Sequence, residues 1–211
     1  MSEHAKAHAV GRERISSFLD GLDEAQWATR TPACPAWDVK GVVAHLVGIG
    51  ADMTGGRFPA GDVDAWIQEA VDARKAASPK ELLDEWGQLG PAIDTLLTNM
   101  PPMMSDLLVG DIVTHEQDIR GALGLPGGRE GVTYDLAFEA YMNAISGRIS
   151  GGGIPALRIR HDSGERVVGE GDPAATVSAS TFELLRSLAG RRTSDQIAAL
   201  GWEGDPSPYL A

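Results

Sequence analysis

The chain has very little cysteine, since its 211 residues include one, Cys34. A single cysteine excludes an internal disulfide framework and a multi-cysteine zinc site. Long hydrophobic runs are also missing: no stretch approaches the roughly 18 apolar residues that a membrane span requires. The first residues lack the apolar core of a signal peptide. We therefore expect a cytoplasmic protein that has no membrane partner and that folds by packing.

Positive charge is scarce as well. The sequence has 18 Lys and Arg residues and 30 Asp and Glu residues, which gives a formal net charge of −12. Because binding to phosphate backbones depends on Lys and Arg, this balance argues against nucleic acid as the main partner. The 43% of hydrophobic residues and 23% of charged ones are typical of a globular protein. The length allows one large domain, or a main domain with a smaller one.

Helical periodicity dominates the chain up to about residue 150 and then stops at Gly151, Gly152 and Gly153. Apolar residues at spacings of three and four predict helices. The predicted helices cover about 5–20, 38–53, 66–74, 82–97, 104–123 and 134–149. Pro91 is expected to kink or split the fourth of these. Long helices with short connections favour a bundle over residues 1–150.

Residues 151–211 have a different pattern. Segments 154–162, 166–171 and 174–180 have the length and turn punctuation of strands. A helix is predicted over 181–188, and Thr193 is a predicted cap of a second short helix. The expected fold class is therefore α+β and mainly α, with a small α+β domain after the bundle.

Polar side chains interrupt the apolar stripes of two predicted helices. His45 lies on the inward stripe of 38–53, while Asp111, His115 and Asp118 follow the stripe of 104–123 at spacings of four and three. Burying them without partners is costly. Two histidines and one carboxylate suit a divalent metal and leave a fourth position open, as in catalytic zinc. Iron or nickel also fits these ligands, and a metal-free core cluster is the alternative.

Other candidate residues are assigned lesser roles. Asp118 is a hydrogen-bond acceptor behind the metal or a substrate contact. Glu116 lies roughly 100° round the helix from His115 and is not expected to reach the ion. His4 and His8 are predicted to lie on a solvated chain end. Cys34 is predicted to be a small loop hydrophobe, with a reactive thiol as the alternative.

Three segments carry a family resemblance. They are Pro35-Ala36-Trp37-Asp38-Val39 leading to Val43-Ala44-His45-Leu46, then Asp111-x-x-x-His115-x-x-Asp118-Ile119-Arg120, and the tail from Phe182-Glu183-Leu184 to Gly201-Trp202-Glu203. Together they resemble the mycothiol-dependent maleylpyruvate isomerase family. The resemblance implies a DinB-like four-helix bundle at the N-terminus.

The resemblance also implies site residues and a thiol. His45 and His115 match the two histidine ligands, and Asp111 stands where the isomerase has a glutamate. Aspartate is one methylene shorter, so coordination requires a small helix shift, a bridging water or a different ion. Mycothiol is the implied thiol cosubstrate. Arg191 and Arg192 are candidates, by position, for binding substrate carboxylates.

The expected function is that of a metal-dependent, thiol-using isomerase or S-transferase. The ion, expected to be zinc, would favour a thiolate that adds to a small electrophilic substrate. One rival is a non-catalytic protein on the same scaffold that binds a small ligand or has a regulatory role. Another is a thiol-independent metal hydrolase with Asp118 or Glu116 as the base. A homodimer formed through a helix face is compatible with the sequence.

Overall fold

The computed structural model describes residues 1–210. The chain divides into two compact units, Met1–Leu136 and Ala137–Ala211. The predicted domain limits, 1–150 and 151–211, stay a prediction, because compactness alone does not test independent folding. Among the described residues, no helix is long and apolar enough to cross a membrane.

Four long helices form a bundle in the first unit. The helices up to the second unit are α1 (Glu3–Leu19), α2 (Glu24–Trp27), α3 (Val39–Thr54), α4 (Val63–Asp72), α5 (Pro79–Asn99), α6 (Pro102–Leu123) and α7 (Val132–Gly151), the last of which crosses the boundary between the units. In the bundle, α1 contacts α5 and α6, and α3 contacts the same two helices.

The ends of the two helices that carry the predicted site follow local capping rules. The Asp38 side chain accepts a hydrogen bond of 2.8 Å from the backbone N–H of Gly41 and so caps the start of α3. Gly124 ends α6 in the left-handed region with φ 64°, which costs glycine little because it has no Cβ. The predicted starts and ends of these helices agree with the structure to within about two residues.

The predicted split at Pro91 is wrong, because α5 runs through it from Pro79 to Asn99, and the predicted kink stays a prediction. Pro91 lies on the exposed side of the helix. Gly87, whose carbonyl loses its usual donor, is exposed as well, so we expect water to replace that donor. The buried side of α5 keeps its apolar stripe of Leu82, Trp86, Ile93 and Leu97.

The second unit combines one sheet with short helices. The strands are β1 (Leu157–His161), β2 (Gly164–Val168), β3 (Ala175–Ser178) and β4 (Gly201–Glu203). The helices α8 (Thr181–Leu188) and α9 (Ser194–Ala198) lie between β3 and β4 in sequence, and a 3-10 turn at Ser207–Tyr209 follows β4. The strand order is β2-β1-β3-β4, with β1 and β3 parallel and the other pairs antiparallel. The expected fold class, α+β and mainly α, is confirmed.

Candidate metal centre

Two imidazoles and one carboxylate meet between α3 and α6. His45 on α3 and His115 on α6 are both buried, with ring centroids 4.7 Å apart. Asp111 lies one turn before His115 on α6, so its side chain is on the same face. Its carboxylate oxygens are 3.3 Å from Nε2 of His45 and 3.3 Å from Nε2 of His115. The three residues that were predicted from the apolar stripes of these two helices therefore lie together.

The opposite nitrogen of His115 faces a second acidic residue. Nδ1 of His115 is 3.1 Å from Oδ2 of Asp118, whose side chain is fully buried. The thiol of Cys34 donates to the same oxygen over 3.3 Å and lies 3.8 Å from His115 Nδ1. Asp118 thus fixes the orientation of the His115 ring and leaves Nε2 directed at Asp111. The prediction of Cys34 as a simple loop hydrophobe is wrong.

A tightly folded loop delivers Cys34 and Trp37 to this cluster. Within residues 30–38, the backbone N–H of Cys34 donates to the carbonyl of Thr31 over 2.9 Å, and that of Trp37 donates to the carbonyl of Cys34 over 2.8 Å. The Trp37 ring stacks on His45 with a centroid distance of 5.3 Å. Nδ1 of His45 is buried and has no hydrogen-bond partner among residues 1–210. The polar contacts of this ring are therefore made by Nε2.

Proximity of these groups changes their protonation. Burial raises the pKa of Asp111, but the charges of His45 and His115, together with their hydrogen bonds, lower it more, so that the net pKa lies well below its usual range. Burial likewise lowers the pKa of His115, whereas Asp111, Asp118 and Cys34 raise it to well above its usual range. These contacts therefore favour the protonated form of His115, and a metal ion at Nε2 would compete with that proton.

The donor set fits a divalent metal. The ligand atoms of His45, Asp111 and His115 all lie within 4.8 Å of one another. Imidazole nitrogen and carboxylate oxygen are ligands of zinc and other transition metals. A second group, Cys34, His115 and Asp118, meets the same distance limit. His115 belongs to both groups through different nitrogens, and we expect the ion at Nε2, because Nδ1 is held by Asp118.

Replacing Cys34 with serine tests which of the two groups binds the ion. Serine keeps a donor for Asp118 but removes the sulfur, so we expect Cys34→Ser to retain the same metal content as the wild type. Elemental analysis after dialysis measures the metal content. Loss of the metal from Cys34→Ser alone would assign the ion to Cys34, His115 and Asp118 instead.

His8 is buried beside the site, contrary to the prediction that it lies on a solvated end. The Ser2 side chain accepts from the backbone N–H of Ala5 over 3.2 Å and starts α1 at Glu3. His8 then falls on the buried face of α1 and, with Asp111, lines a small, mainly apolar cavity. Its Nδ1 has no partner among the described residues. His4 is not on a free end either, since its Nε2 lies 2.8 Å from Asp106.

The burial of His8 predicts a pH dependence of stability. Burial and the charge of Arg12 lower the pKa of His8, the charge of Asp111 raises it, and the net value is about 4 against the ordinary 6.5. Between these values the unfolded chain binds the extra proton more readily, so stability falls as the pH drops through this window. We expect wild type to lose roughly 2 to 3 kcal/mol more than His8→Gln between pH 7 and 4.5.

Urea unfolding of both chelator-treated proteins at the two pH values measures this difference. The comparison between wild type and His8→Gln cancels the contributions of other titrating groups. An equal loss of stability in the two proteins would show that His8 takes up its proton in the folded state without cost.

Glu116 turns away from the metal centre, as predicted, and forms a buried ion cluster. The carboxylate is fully buried and accepts from Arg14 of α1 over 3.0 Å and from Arg120, one turn later on α6, over 2.9 Å. Gly128 passes close to this carboxylate with φ 68°, and a Cβ at that position would overlap it. Glu116 therefore links α1 to α6 through Arg14, and the loop at Gly128 packs against its carboxylate.

Arg191 and Arg192 follow α8 in the second unit. Nε and Nη2 of Arg192 donate to the Glu183 carboxylate over 2.7 and 2.9 Å. Nη1 of Arg191 donates to the carbonyl of Ala189 over 3.2 Å. Their expected role in binding a substrate carboxylate stays a prediction.

Comparisons with known proteins agree on one group of relatives. The family model described as the mycothiol maleylpyruvate isomerase N-terminal domain matches residues 8–117. A crystal structure of a histidine-to-alanine mutant of mycothiol-dependent maleylpyruvate isomerase superposes with a TM-score of 0.63 at 14% identity, covering 95% of this chain and 92% of the other. A second crystal structure of that isomerase gives 0.60 at 14% identity, with 90% and 89% covered. A search of curated proteins finds no match.

Proposed function

The chain belongs to the mycothiol maleylpyruvate isomerase N-terminal domain family, and from this premise we propose that it is a mycothiol-using enzyme. In this proposal the enzyme holds a divalent metal, preferably zinc, at His45, Asp111 and His115. The proposed reaction is the isomerisation of, or S-transfer to, a small electrophilic substrate. The solved relatives share the fold and are named for mycothiol-dependent isomerisation of maleylpyruvate. At 14% identity they support the scaffold, and the substrate of this chain is a separate question.

One observation carries the proposal: both imidazole Nε2 atoms lie 3.3 Å from oxygens of a single carboxylate. Three donors of zinc type therefore converge from two helices that the bundle already holds together. When bound, a divalent ion there acts as a Lewis acid that favours thiolate over thiol at neutral pH.

The surrounding residues of the chain have separate tasks in this proposal. Asp118 accepts the Nδ1 proton of His115 and sets the direction in which Nε2 points, so it is a positioning residue. Trp37 covers one face of the His45 ring and excludes water from it. Asp111 is the accessible member, with 31% of its side chain exposed, so we propose that the thiol and the substrate approach from its side.

The shorter side chain of Asp111 does not prevent contact with both histidines. Its oxygens lie within 3.4 Å of Nε2 of His45 and within 3.3 Å of Nε2 of His115. The three donors are therefore already adjacent, and we propose that Asp111 binds the same ion as the two histidines.

Arg191 and Arg192 are proposed as the groups that bind a substrate carboxylate. A guanidinium matches a carboxylate by two parallel hydrogen bonds. Arg192 already makes such a pair with Glu183, so a substrate would have to replace that partner. We therefore expect Arg192→Gln to raise KM for the substrate in steady-state kinetics, and an unchanged KM would remove Arg192 from the proposal.

Dependence on the thiol tests the proposed function. Zinc-loaded protein is mixed with a panel of small electrophiles, including maleylpyruvate, with and without mycothiol, and product formation is followed by liquid chromatography. We expect turnover that requires mycothiol. Turnover at the same rate without thiol would indicate the metal hydrolase, and saturable binding without any turnover would indicate the non-catalytic binding protein.

A further inference from the structure

A cleft in the second unit has the size of a small-molecule site. Side chains of α7, the sheet, α8, α9 and the chain end surround it, and its volume is about 260 Å³. An apolar cavity of about 150 Å³ suffices for benzene, so this cleft can hold one ring with a short chain. None of the proposed metal ligands lines it. The floor of the cleft is buried and apolar, and consists of Ile145, Leu157, Ile159, Val177 and Leu184.

The apolar surface of the second unit is confined to this concavity. Among the described residues of the unit, Val167 is the one large hydrophobic side chain that is exposed, and it does not line the cleft. A stable protein interface buries about 800 Å² on each partner, and the centre of such an interface is rich in apolar residues. A concave apolar floor without exposed apolar residues around it therefore favours a small molecule over a protein partner.

The aromatic wall of the cleft is held in place before any ligand arrives. Trp202 and Tyr209 stack with a centroid distance of 5.7 Å. The indole N–H of Trp202 donates to the carbonyl of Ile197 over 2.8 Å, and the hydroxyl of Tyr209 donates to the carbonyl of Ala156 over 3.2 Å. Rings fixed in this way lose little entropy when an apolar ligand packs on them.

The other polar side chains of the lining are also engaged within the chain. The hydroxyl of Ser187 donates to the carbonyl of Glu183 over 2.8 Å. Nη2 of Arg148 donates to the carbonyl of Tyr209 over 3.5 Å, and Arg148 has a further interaction, so its charge is not free for a ligand. Tyr141 is not free either. An anionic ligand would have to displace one of these partners or lose its hydration without compensation, and both are costly.

We propose that this cleft binds an uncharged, mainly apolar molecule of about one ring and a short chain. The ring packs between the apolar floor and the wall of Trp202 and Tyr209. A hydroxyl on the ligand can donate to a carbonyl oxygen, which has two lone pairs, whereas a carboxylate only accepts and needs a donor that is not already used. The proposal depends on neither a metal nor mycothiol, so it is separate from the function proposed for the first unit.

Calorimetric titration of the full chain with 3-phenylpropan-1-ol and with 3-phenylpropionate tests the proposal. The two probes share the ring and the chain and differ in the charge of the end group. We expect one binding site for the alcohol and binding of the carboxylate that is weaker by about tenfold or more. The affinity for the alcohol should not change with ionic strength, because no charge takes part. Its heat-capacity change should be negative, which is the mark of apolar burial.

Three variants locate the binding. Ala144→Phe on α7 and Ser187→Phe on α8 each add a ring to the lining from a different helix, so each should weaken the alcohol by about tenfold or more. Ser150→Phe is the matched control, because Ser150 is exposed on α7 and does not line the cleft, and it should change the affinity by less than about twofold.

Four outcomes would overturn the proposal. They are no binding of the alcohol at millimolar concentration, a preference for 3-phenylpropionate, unchanged binding in both Ala144→Phe and Ser187→Phe, and self-association of the wild type that these two variants abolish. A preference for the acid would show that a cation of the lining is available to ligands. Self-association of that kind would assign the cleft to a second copy of the chain.

Discussion

His115→Ala is expected to lose bound metal and thiol-dependent turnover together. His115 offers Nε2 to the same carboxylate as His45, and its removal leaves one imidazole and Asp111, which is too few donors for a stable site. Residues behind a metal ligand typically contribute 10- to 100-fold to metal affinity or activity. Loss of a ligand itself should therefore lower turnover by more than about a hundredfold.

Two comparisons make this result specific to the metal centre. Asp118→Asn keeps the three ligands but removes the charge that orients the His115 ring. We therefore expect an intermediate loss of metal affinity or turnover, roughly 10- to 100-fold. His161→Ala removes a histidine that packs edge-on against Phe138 in the second unit and should change neither quantity. Normal metal content and turnover in a folded His115→Ala protein would remove the central claim.

Glu116→Ala is expected to produce a large loss of stability. The fully buried carboxylate accepts hydrogen bonds from Arg14 and Arg120. Removing one partner of a buried ion cluster leaves charges without compensation and costs about 3–5 kcal/mol. Arg14 has 25% of its side chain exposed and can regain water, so we expect about 3 kcal/mol, near the lower end of that range.

Urea unfolding measures this loss, with Glu139→Ala as the control. Glu139 also pairs with an arginine, Arg166, at 2.6 Å, but about half of its side chain is exposed. Exposed pairs contribute between 0 and about 1 kcal/mol, so Glu139→Ala should change stability little. Similar small losses in the two variants would show that the Glu116 cluster is not a significant source of stability.

The helix pattern was sufficient to predict much of the candidate site. His45, Asp111, His115 and Asp118 lie on apolar stripes of helices whose period fixes the direction of each side chain. Helix ends at Asp38 and Gly124 were predictable too, because caps depend on local sequence.

Residues that depend on tertiary contacts were missed. Cys34 reaches His115 and Asp118 across 81 and 84 positions of sequence, through a loop whose fold is set by its own backbone hydrogen bonds. No periodic pattern applies to such a loop. His8 was assigned to solvent because chain ends usually fray, whereas the Ser2 cap and the packing of α1 on α5 and α6 order this end.

Short elements escaped prediction for a different reason. β4 has three residues, Gly201 to Glu203, which is too short for a recognisable alternation. It forms because its backbone pairs with β3, with Trp202 opposite Val177. The continuity of α5 through Pro91 is also a tertiary effect, since packing of the buried stripe outweighs the lost helical hydrogen bond.

Elemental analysis of untagged protein tests the account most directly, with wild type measured beside His45→Ala and His115→Ala. An untagged chain is needed because a histidine tag binds metal itself. We expect about one equivalent of zinc per wild-type chain and its loss from both variants. Absence of metal from the wild type, even after reconstitution with zinc, would contradict the account and leave His45, Asp111 and His115 as a hydrogen-bonded polar cluster.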